Sequence, residues 1–323
     1  MSDIKSPKAG WTAENAVLCK SPRQESRKGI MYGFFAYLIW GSFPVFFKLL
    51  PDATPLEIVS HRIFWSAIFL LILVLLRRQV GKIRQTLSDR KVLFTLCGST
   101  LLIATNWLTF LFAIQRGEVL QSSLGYFITP LLSVLLGFAF LGERLGGWQK
   151  LSVLFAFSGV SYLVFEFGQV PWIALILATS FGFYGLLRKV AQIDALIGLT
   201  VETLLLAPIA GVYLLYLSSS GQSVFLNGST HYNVLLPLAG VITAIPLLFF
   251  IASARRLQLA TIGFLQYITP SLHFVLAVVV FAEPFSGKQF FSFLLIWVGL
   301  AVYSLDAIWK HRQDRVLLSR EVC

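Results

Sequence analysis

One block of this chain occurs twice: Ile128-Thr129-Pro130 recurs as Ile268-Thr269-Pro270, 140 residues later. Across residues 121–160, eleven of 40 positions carry the same residue as the position 140 further along. Outside the tripeptide, the identities include Glu143 with Glu283, Gly147 with Gly287, Gln149 with Gln289, and Gly159 with Gly299. The same offset extends towards the N-terminus without a gap, although identities there are fewer. In a membrane chain such a repeat predicts both the architecture and the place where a solute binds.

The composition is that of a membrane protein. Of the 323 residues, 57% are hydrophobic and only 13% are charged, whereas about 25% are charged in soluble domains. Apolar runs of about 20 residues recur along most of the chain, and each is long enough to cross a hydrocarbon core of about 30 Å as a helix. We therefore expect an all-α polytopic membrane protein with ten transmembrane helices. The spans lie at about 30–50, 55–76, 92–114, 118–141, 148–166, 170–187, 195–217, 233–254, 259–282 and 289–309.

The distribution of lysine and arginine predicts the orientation. If the N-terminus is cytoplasmic, all of the 26 Lys and Arg residues except Lys48, Arg62, Arg116 and Lys288 fall on the cytoplasmic side. This asymmetry follows the positive-inside rule and indicates a multi-pass protein of the inner membrane with both termini inside. The net charge of +11 is therefore a topology signal. No soluble basic domain is present, so we expect no nucleic-acid partner.

Five spans in each copy of the repeat imply inverted topology. Because five is odd, the second copy enters the membrane from the opposite side, and the two halves become inverted five-helix repeats. The first half covers 29–166 and the second 167–309, between basic cytoplasmic tails at 1–28 and 310–323. A solute site is expected near the membrane midplane, between the halves.

Short motifs spread over the membrane part carry a family resemblance. Ala36-Tyr37-Leu38-Ile39-Trp40-Gly41 is followed by His61-Arg62-Ile63-Phe64-Trp65-Ser66. Further motifs include Asn106-Trp107, Leu141-Gly142-Glu143-Arg144-Leu145, Val201-Glu202-Thr203-Leu204 and Gln266-Tyr267-Ile268-Thr269-Pro270. Together they resemble the RarD proteins, a subfamily of the EamA-type drug/metabolite transporters. The family usually shows Asn or Ala where Thr129 and Thr269 stand.

This resemblance covers about residues 28–309. It implies ten helices around a central cavity and movement of small organic molecules across the inner membrane. The name of the subfamily records a link to chloramphenicol sensitivity, which does not establish chloramphenicol as the substrate.

Two charged residues lie within predicted spans. An arginine at a helix centre costs about 2.5–3.5 kcal/mol on insertion scales, so it normally faces a cavity or a partner. Arg62 is in the second span, and Glu202 occupies the equivalent place in the seventh. We interpret Arg62 as meeting an anionic group of the solute and Glu202 as meeting a cationic group or a proton, which favours a zwitterionic or polar metabolite. The alternative for each is a structural ion pair or a hydrogen-bond anchor between helices.

Other polar and aromatic residues at membrane depth are also candidates for the cavity. Small-molecule sites combine apolar and aromatic walls with a few polar groups. The predicted cavity residues are Trp40, Arg62, Asn106, Trp107, Tyr126, Glu202, Gln266 and Tyr267. The alternatives are helix packing for the aromatic side chains and interhelical hydrogen bonds for the amides.

His61, His273 and Glu202 are candidates for a proton relay, since histidine changes charge near neutral pH. A packing role is the alternative for the two histidines. Pro130 and Pro270 each remove a backbone hydrogen bond and are expected to kink their helices. The freed carbonyls can line a cavity, although a static kink would leave the same pattern. Glu143 and Glu283 are expected to shape or cap turns.

These features predict a secondary transporter that works by alternating access. The chain has no nucleotide-binding motif, so a proton gradient or exchange would drive transport. No cofactor and no metal site are predicted, and the expected partners are a small-molecule substrate, the lipid bilayer and protons as a coupling ion. The direction of transport and the oligomeric state are left open. The alternatives are a non-transporting sensor or assembly factor, and a membrane-embedded enzyme.

Overall fold

The computed structural model of the protein describes residues 22–47, 49–115, 119–167, 171–280 and 287–321. Within these ranges the chain is helical and has no strand, as the sequence predicts. The helices are α1 (Pro22–Phe47), α2 (Pro55–Leu76), α3 (Val80–Ser88), α4 (Arg90–Gln115), α5 (Val119–Leu141), α6 (Gly147–Phe167), α7 (Trp172–Val190), α8 (Ala195–Ser219), α9 (Thr230–Ala254), α10 (Leu259–Gln266), α11 (Ile268–Val275) and α12 (Gly287–Glu321), with a π-helical segment at Leu276–Val280.

Seven of the described helices are long and apolar enough to cross a membrane: α1, α2, α4, α6, α7, α8 and α9. Shorter apolar stretches occupy Gly125–Leu141 in α5 and Phe290–Asp306 in α12. The multi-pass helical architecture is therefore confirmed, while the count of ten spans stays a prediction. Helices α1 and α12 extend into the predicted tails 1–28 and 310–323. Lys48, Arg116 and Glu283 lie outside the described residues.

The predicted ninth span is not one continuous helix. It breaks at Tyr267, between α10 and α11, three residues before Pro270. The physical reason is that a proline has no N–H, and its ring collides with the carbonyl group four residues earlier, which here belongs to Gln266. The equivalent Pro130 lies inside α5, which is assigned as α-helix without interruption. The two prolines therefore differ in effect, contrary to the expectation that they act alike.

Helices α6 and α12, one from each half, approach each other through equivalent residues. A Cβ atom added to Gly159 of α6 would lie 2.8 Å from the carbonyl oxygen of Ser292 in α12. One added to Gly299 of α12 would lie 2.7 Å from the carbonyl oxygen of Ser152 in α6. Ser292 and Gly299 are the positions 140 after Ser152 and Gly159. A glycine of each half therefore lies against the serine carbonyl group of the other half. Such a reciprocal arrangement is that of an isologous contact.

We expect Gly159→Ala to lower the thermal stability of the protein. The added methyl group would press on the backbone of α12, and overpacking of this kind typically costs about 1–3 kcal/mol. The matched control is Gly81→Ala in α3, where an added Cβ has no atom within 4 Å. Heating in detergent followed by size-exclusion chromatography gives both melting temperatures. Equal melting temperatures for the two variants would contradict the close approach of α6 to α12.

Candidate functional site

A cavity of about 360 Å³ lies between α1, α2, α4, α5, α7, α9 and the break that separates α10 from α11. This volume is within the range of about 300–1,000 Å³ typical of small-ligand sites. Aromatic and aliphatic side chains form most of the wall. The break contributes Gln266 on one side and Thr269 and Pro270 on the other.

Six of the eight predicted cavity residues line this cavity. They are Trp40, Arg62, Asn106, Trp107, Tyr126 and Gln266. Sequence reasoning missed several others, among them Tyr37, Phe43, Phe47, Phe181 and Thr243.

The offset of the repeat could have identified some of the lining residues that were not predicted. The reason is that the wall contains pairs of positions that are 140 residues apart. These pairs are Tyr37 with Leu177, Ile103 with Thr243, Tyr126 with Gln266, Trp107 with Leu247, and Thr129 with Thr269. Both copies of the repeat therefore supply equivalent parts of the wall.

Arg62 enters the cavity from α2 and is held by aromatic rings and one hydroxyl group. Its Nε donates a hydrogen bond of 2.8 Å to Oγ1 of Thr243. Its guanidinium carbon lies 5.8 Å from the ring centre of Phe43, 5.5 Å from that of Phe47 and 5.3 Å from that of Trp107, which are cation–π distances. No carboxylate among the described residues is within ion-pair distance of Arg62. The described part of the protein therefore surrounds this charge with rings and a hydroxyl group and provides no counter-charge.

The amide groups at the cavity differ in how their hydrogen bonds are used. Nδ2 of Asn106 donates to the carbonyl oxygen of Leu177 at 2.9 Å and to Oγ of Ser180 at 3.0 Å, so this side chain fastens α4 to α7. Oε1 of Gln266 is buried and has no hydrogen-bond partner among the residues that the structure describes, and the same holds for the hydroxyl group of Tyr37. Such orphaned polar atoms are rare in folded proteins and call for an explanation.

Glu202 does not line the cavity, contrary to the prediction. It forms an ion pair with Arg188 in which Nη1 lies 3.6 Å from Oε1. The hydroxyl group of Tyr184 donates to Oε2 at 3.3 Å, and Ser99 donates to Oε1. Glu202 and Arg188 are each 1% exposed. Glu202 is thus part of an ion pair between helices, which was the alternative interpretation of this residue. Its partner, Arg188, lies at the end of α7.

An aromatic layer separates this ion pair from the cavity. We define the layer as Tyr37, Trp40, Phe181, Tyr184 and Phe250. The ring centres of Trp40 and Phe181 are 5.7 Å apart, those of Phe181 and Phe250 5.1 Å, and those of Tyr184 and Phe250 6.1 Å. Trp40 and Phe181 face the cavity, whereas Tyr184 reaches Glu202. The layer closes the cavity towards the end of the bundle where Arg188 lies.

Tyr267 is the second predicted cavity residue that lies elsewhere. It is 1% exposed, and its hydroxyl group donates to the carbonyl oxygen of Phe127 at 3.4 Å. Neighbouring residues on a helix point about 100° apart, so Gln266 can face the cavity while Tyr267 packs against α5. Phe127 is the equivalent of Tyr267 in the first half.

His61 lies outside the cavity, in a packing contact. Its Nδ1 accepts a hydrogen bond of 3.1 Å from Nε1 of Trp65, and its ring centre is 4.8 Å from that of Phe225. His273 belongs to α11, but its side chain lies outside the described part of the structure. The proton-relay hypothesis for these two residues stays a prediction.

Glu143 anchors a helix terminus, as its recurrence beside a turn suggests. Its Oε1 accepts from the backbone N–H of Leu259 at 2.9 Å and its Oε2 from that of Ala260 at 3.2 Å. These are the first N–H groups of α10, which have no partner within the helix. Glu143 also lies 3.3 Å from Nζ of Lys189. The connection after α5 is thereby tied to the ends of α7 and α10.

The chain is similar to several bacterial transporters. The model of the EamA-like transporter family matches residues 27–165. An uncharacterized transporter of Vibrio cholerae is 44% identical over 88% of this chain and 95% of that protein. Protein RarD of Escherichia coli is 41% identical over 90% of this chain and 98% of that protein.

A chloramphenicol-sensitive protein RarD of Pseudomonas aeruginosa is 30% identical over 87% of this chain and 95% of that protein. A solved crystal structure at 18% identity superposes with a TM-score of 0.67 over 86% of this chain and 97% of its own, which shows a shared fold. With these relatives and its apolar helices, the protein is a multi-pass inner-membrane transporter. The chain belongs to the RarD subfamily of the EamA-like transporter family.

Proposed function

We propose that this protein is a secondary transporter that moves small organic molecules through the cavity by alternating access. The observation that carries the proposal is the construction of the cavity wall from equivalent positions of both halves, including Tyr126 with Gln266 and Thr129 with Thr269. In transporters built from internal repeats, the substrate site lies between the repeats, and a discontinuous helix often borders it. The break between α10 and α11 supplies that feature here.

Two inverted five-helix halves account for the reciprocal contacts of α6 with α12. Ten spans would place both termini in the cytoplasm, together with the basic ends of α2, α7 and α9. This orientation agrees with the positive-inside rule. On this reading, Phe43, Phe47 and Arg62 lie in the outer half of the membrane, and the aromatic layer is the cytoplasmic closure of the cavity. Opening to the cytoplasm would require the aromatic rings to separate and the Arg188–Glu202 pair to become accessible.

The experiment for this proposal is release of solutes from proteoliposomes. Vesicles that contain the purified protein are loaded with a whole-cell metabolite extract and chloramphenicol, with or without an applied proton gradient, and the released compounds are identified by mass spectrometry. Protein-free vesicles are the control. We expect selective release of a small set of solutes. A dependence on the gradient would identify proton coupling, whereas a dependence on solute outside would identify exchange.

No selective release from folded, inserted protein would contradict the transporter proposal. It would favour the non-transporting sensor or assembly factor instead. Conversion of a loaded compound into a new product inside the vesicles would point to the membrane-embedded enzyme.

A further inference from the structure

We propose that the cavity selects organic anions that carry a flat aromatic body, with the anionic group bound by Arg62 and the body held between the aromatic rings of the wall. This inference rests on the proposed function, because it names the substrate class of the same cavity. It replaces the zwitterionic solute that the sequence favoured, since Glu202 is not at the cavity.

Arg62 is a buried charge with no counter-charge among the described residues. Arg62 is 7% exposed, and among the described residues it is the one in the cavity wall that carries a formal charge. A buried charge is normally paired, because desolvation without a partner is costly. The protein provides such a partner for its other buried arginine, Arg188, in the form of Glu202. At Arg62 the described residues provide none, so the counter-charge is assigned to the solute.

The two terminal nitrogen atoms of the Arg62 guanidinium are available to bind a solute. Its Nε is already used by Thr243, and the rings of Phe43, Phe47 and Trp107 surround the group without accepting conventional hydrogen bonds. No acceptor among the described residues binds its two terminal nitrogen atoms. A planar guanidinium that presents two parallel N–H donors matches the geometry of a carboxylate. The hydrogen bond to Thr243 holds the group in one orientation for that contact.

The rest of the cavity wall suits a flat aromatic solute. Trp40, Trp107, Phe110 and Phe181 line the cavity, and aromatic faces of this kind stack on flat rings. Oε1 of Gln266 is a buried acceptor without a partner, so an N–H or O–H group on the solute would satisfy it. None of the described residues that line the cavity is a carboxylate, so an ammonium group on the solute would find no counter-charge among them. The volume of about 360 Å³ accommodates a small molecule of one or two rings.

The test compares three probes that share one body and differ in charge: indole-3-acetate, indole-3-acetamide and tryptamine. The indole supplies the flat ring and an N–H donor for Gln266. Binding of each radiolabelled probe to the purified full-length protein in nanodiscs is measured by equilibrium dialysis at pH 7.5. The variants are Arg62→Gln, which removes the charge, and Arg62→Lys, which keeps it. Arg77→Gln, at the exposed end of the same helix, is the matched control.

Indole-3-acetate is expected to bind the wild type at least about tenfold more tightly than the amide or the amine, because hydrogen bonds to charged groups contribute on the order of ten- to a hundredfold in affinity. Arg62→Gln should abolish this preference, because the carboxylate of the acid then loses its charged partner. Arg62→Lys should retain the order of the three probes, and Arg77→Gln should match the wild type. Circular dichroism and size-exclusion profiles establish that each variant is folded.

Equal or tighter binding of the amide or the amine would overturn the assignment, as would a preference for the acid that survives Arg62→Gln. Absence of binding by all three probes would also overturn it. These failures are distinguishable from a failure of the proposed function. If neutral or cationic solutes leave proteoliposomes selectively, the protein is a transporter and the inferred substrate class is wrong. If indole-3-acetate binds through Arg62 but no solute crosses the membrane, the cavity is a binding site without transport.

Discussion

Arg62→Met is expected to reduce transport by at least about 30-fold while the melting temperature stays equal to that of the wild type or rises. The loss follows because truncation of one partner of a buried charge pair costs about 2–5 kcal/mol, and the second partner here is the solute. The unchanged or higher stability follows because no carboxylate among the described residues pairs with this buried arginine. Removal of an uncompensated buried charge relieves a desolvation cost.

The measurement pairs release from proteoliposomes with thermal unfolding of the same preparation. Arg77→Met, at the exposed residue that directly follows α2, is the control for loss of an arginine near this helix. The solutes are those that the wild type releases. A large drop in melting temperature with Arg62→Met would show that the arginine is structural. Normal release by a folded Arg62→Met protein would remove Arg62 from the substrate site.

Glu202→Gln is expected to destabilise the protein by about 3–5 kcal/mol, which is the usual effect of removing one partner from a buried ion pair. Arg188 would remain at 1% exposure without a counter-charge. Its three guanidinium nitrogen atoms have no hydrogen-bond partner, so no other described group could compensate. Gly198 packs directly against the guanidinium, because any side chain at that position would collide with it. Reversible unfolding in detergent, or the melting temperature where unfolding is irreversible, measures the change.

A double variant separates loss of the pair from loss of one charge. Arg188→Met combined with Glu202→Leu removes both charges and keeps the volume similar, and replacements of this kind are often neutral or stabilising by about 1–4 kcal/mol. We therefore expect the double variant to be more stable than Glu202→Gln alone. If the double variant unfolds as easily as the single one, the destabilisation does not come from an unpaired Arg188. Its transport activity then tests whether the ion pair is needed for the proposed alternating access.

Arg62 and Glu202 show how far sequence reasoning extends at this site. They are equivalent positions of the repeat, and the sequence predicts that both face a cavity. Arg62 does so, whereas Glu202 is enclosed with Arg188, Tyr184 and Ser99. The sequence also assigned Arg188 to the cytoplasmic side as a positive-inside charge. That prediction concerns the side of the membrane and gives no information about whether the side chain is buried.

The tertiary reason for this burial is local geometry. Only residues 191–194 separate α7 from α8, so the end of one helix lies beside the start of the other. Arg188 then points at Glu202, two turns into α8. The sequence contains both residues, but the helix faces that meet are set by how α7 and α8 each pack against α4.

The break in the ninth span has a similar explanation. Pro130 and Pro270 are equivalent and equally visible in the sequence, yet only the helix around Pro270 is interrupted. A proline always removes one backbone hydrogen bond, but neighbouring groups decide whether the helix continues. In α5, Oγ1 of Thr129 donates to the carbonyl oxygen of Gly125 at 2.7 Å and Oγ of Ser133 donates to that of Thr129 at 3.0 Å. At the second site, Thr269 instead donates to the carbonyl oxygen of Tyr37 in α1, at 2.9 Å.

By itself the sequence determined the helical membrane architecture, the repeat, the family and six residues of the cavity. These depend on hydropathy, spacing and composition, which are properties of the chain read along its length. Only the tertiary structure decided which buried charge is paired, which proline interrupts its helix and which polar atoms are left without a partner. Those outcomes depend on side chains from distant helices that meet within hydrogen-bond distance. In a membrane bundle, the role of a buried polar group is decided by its partner rather than by its position in the sequence.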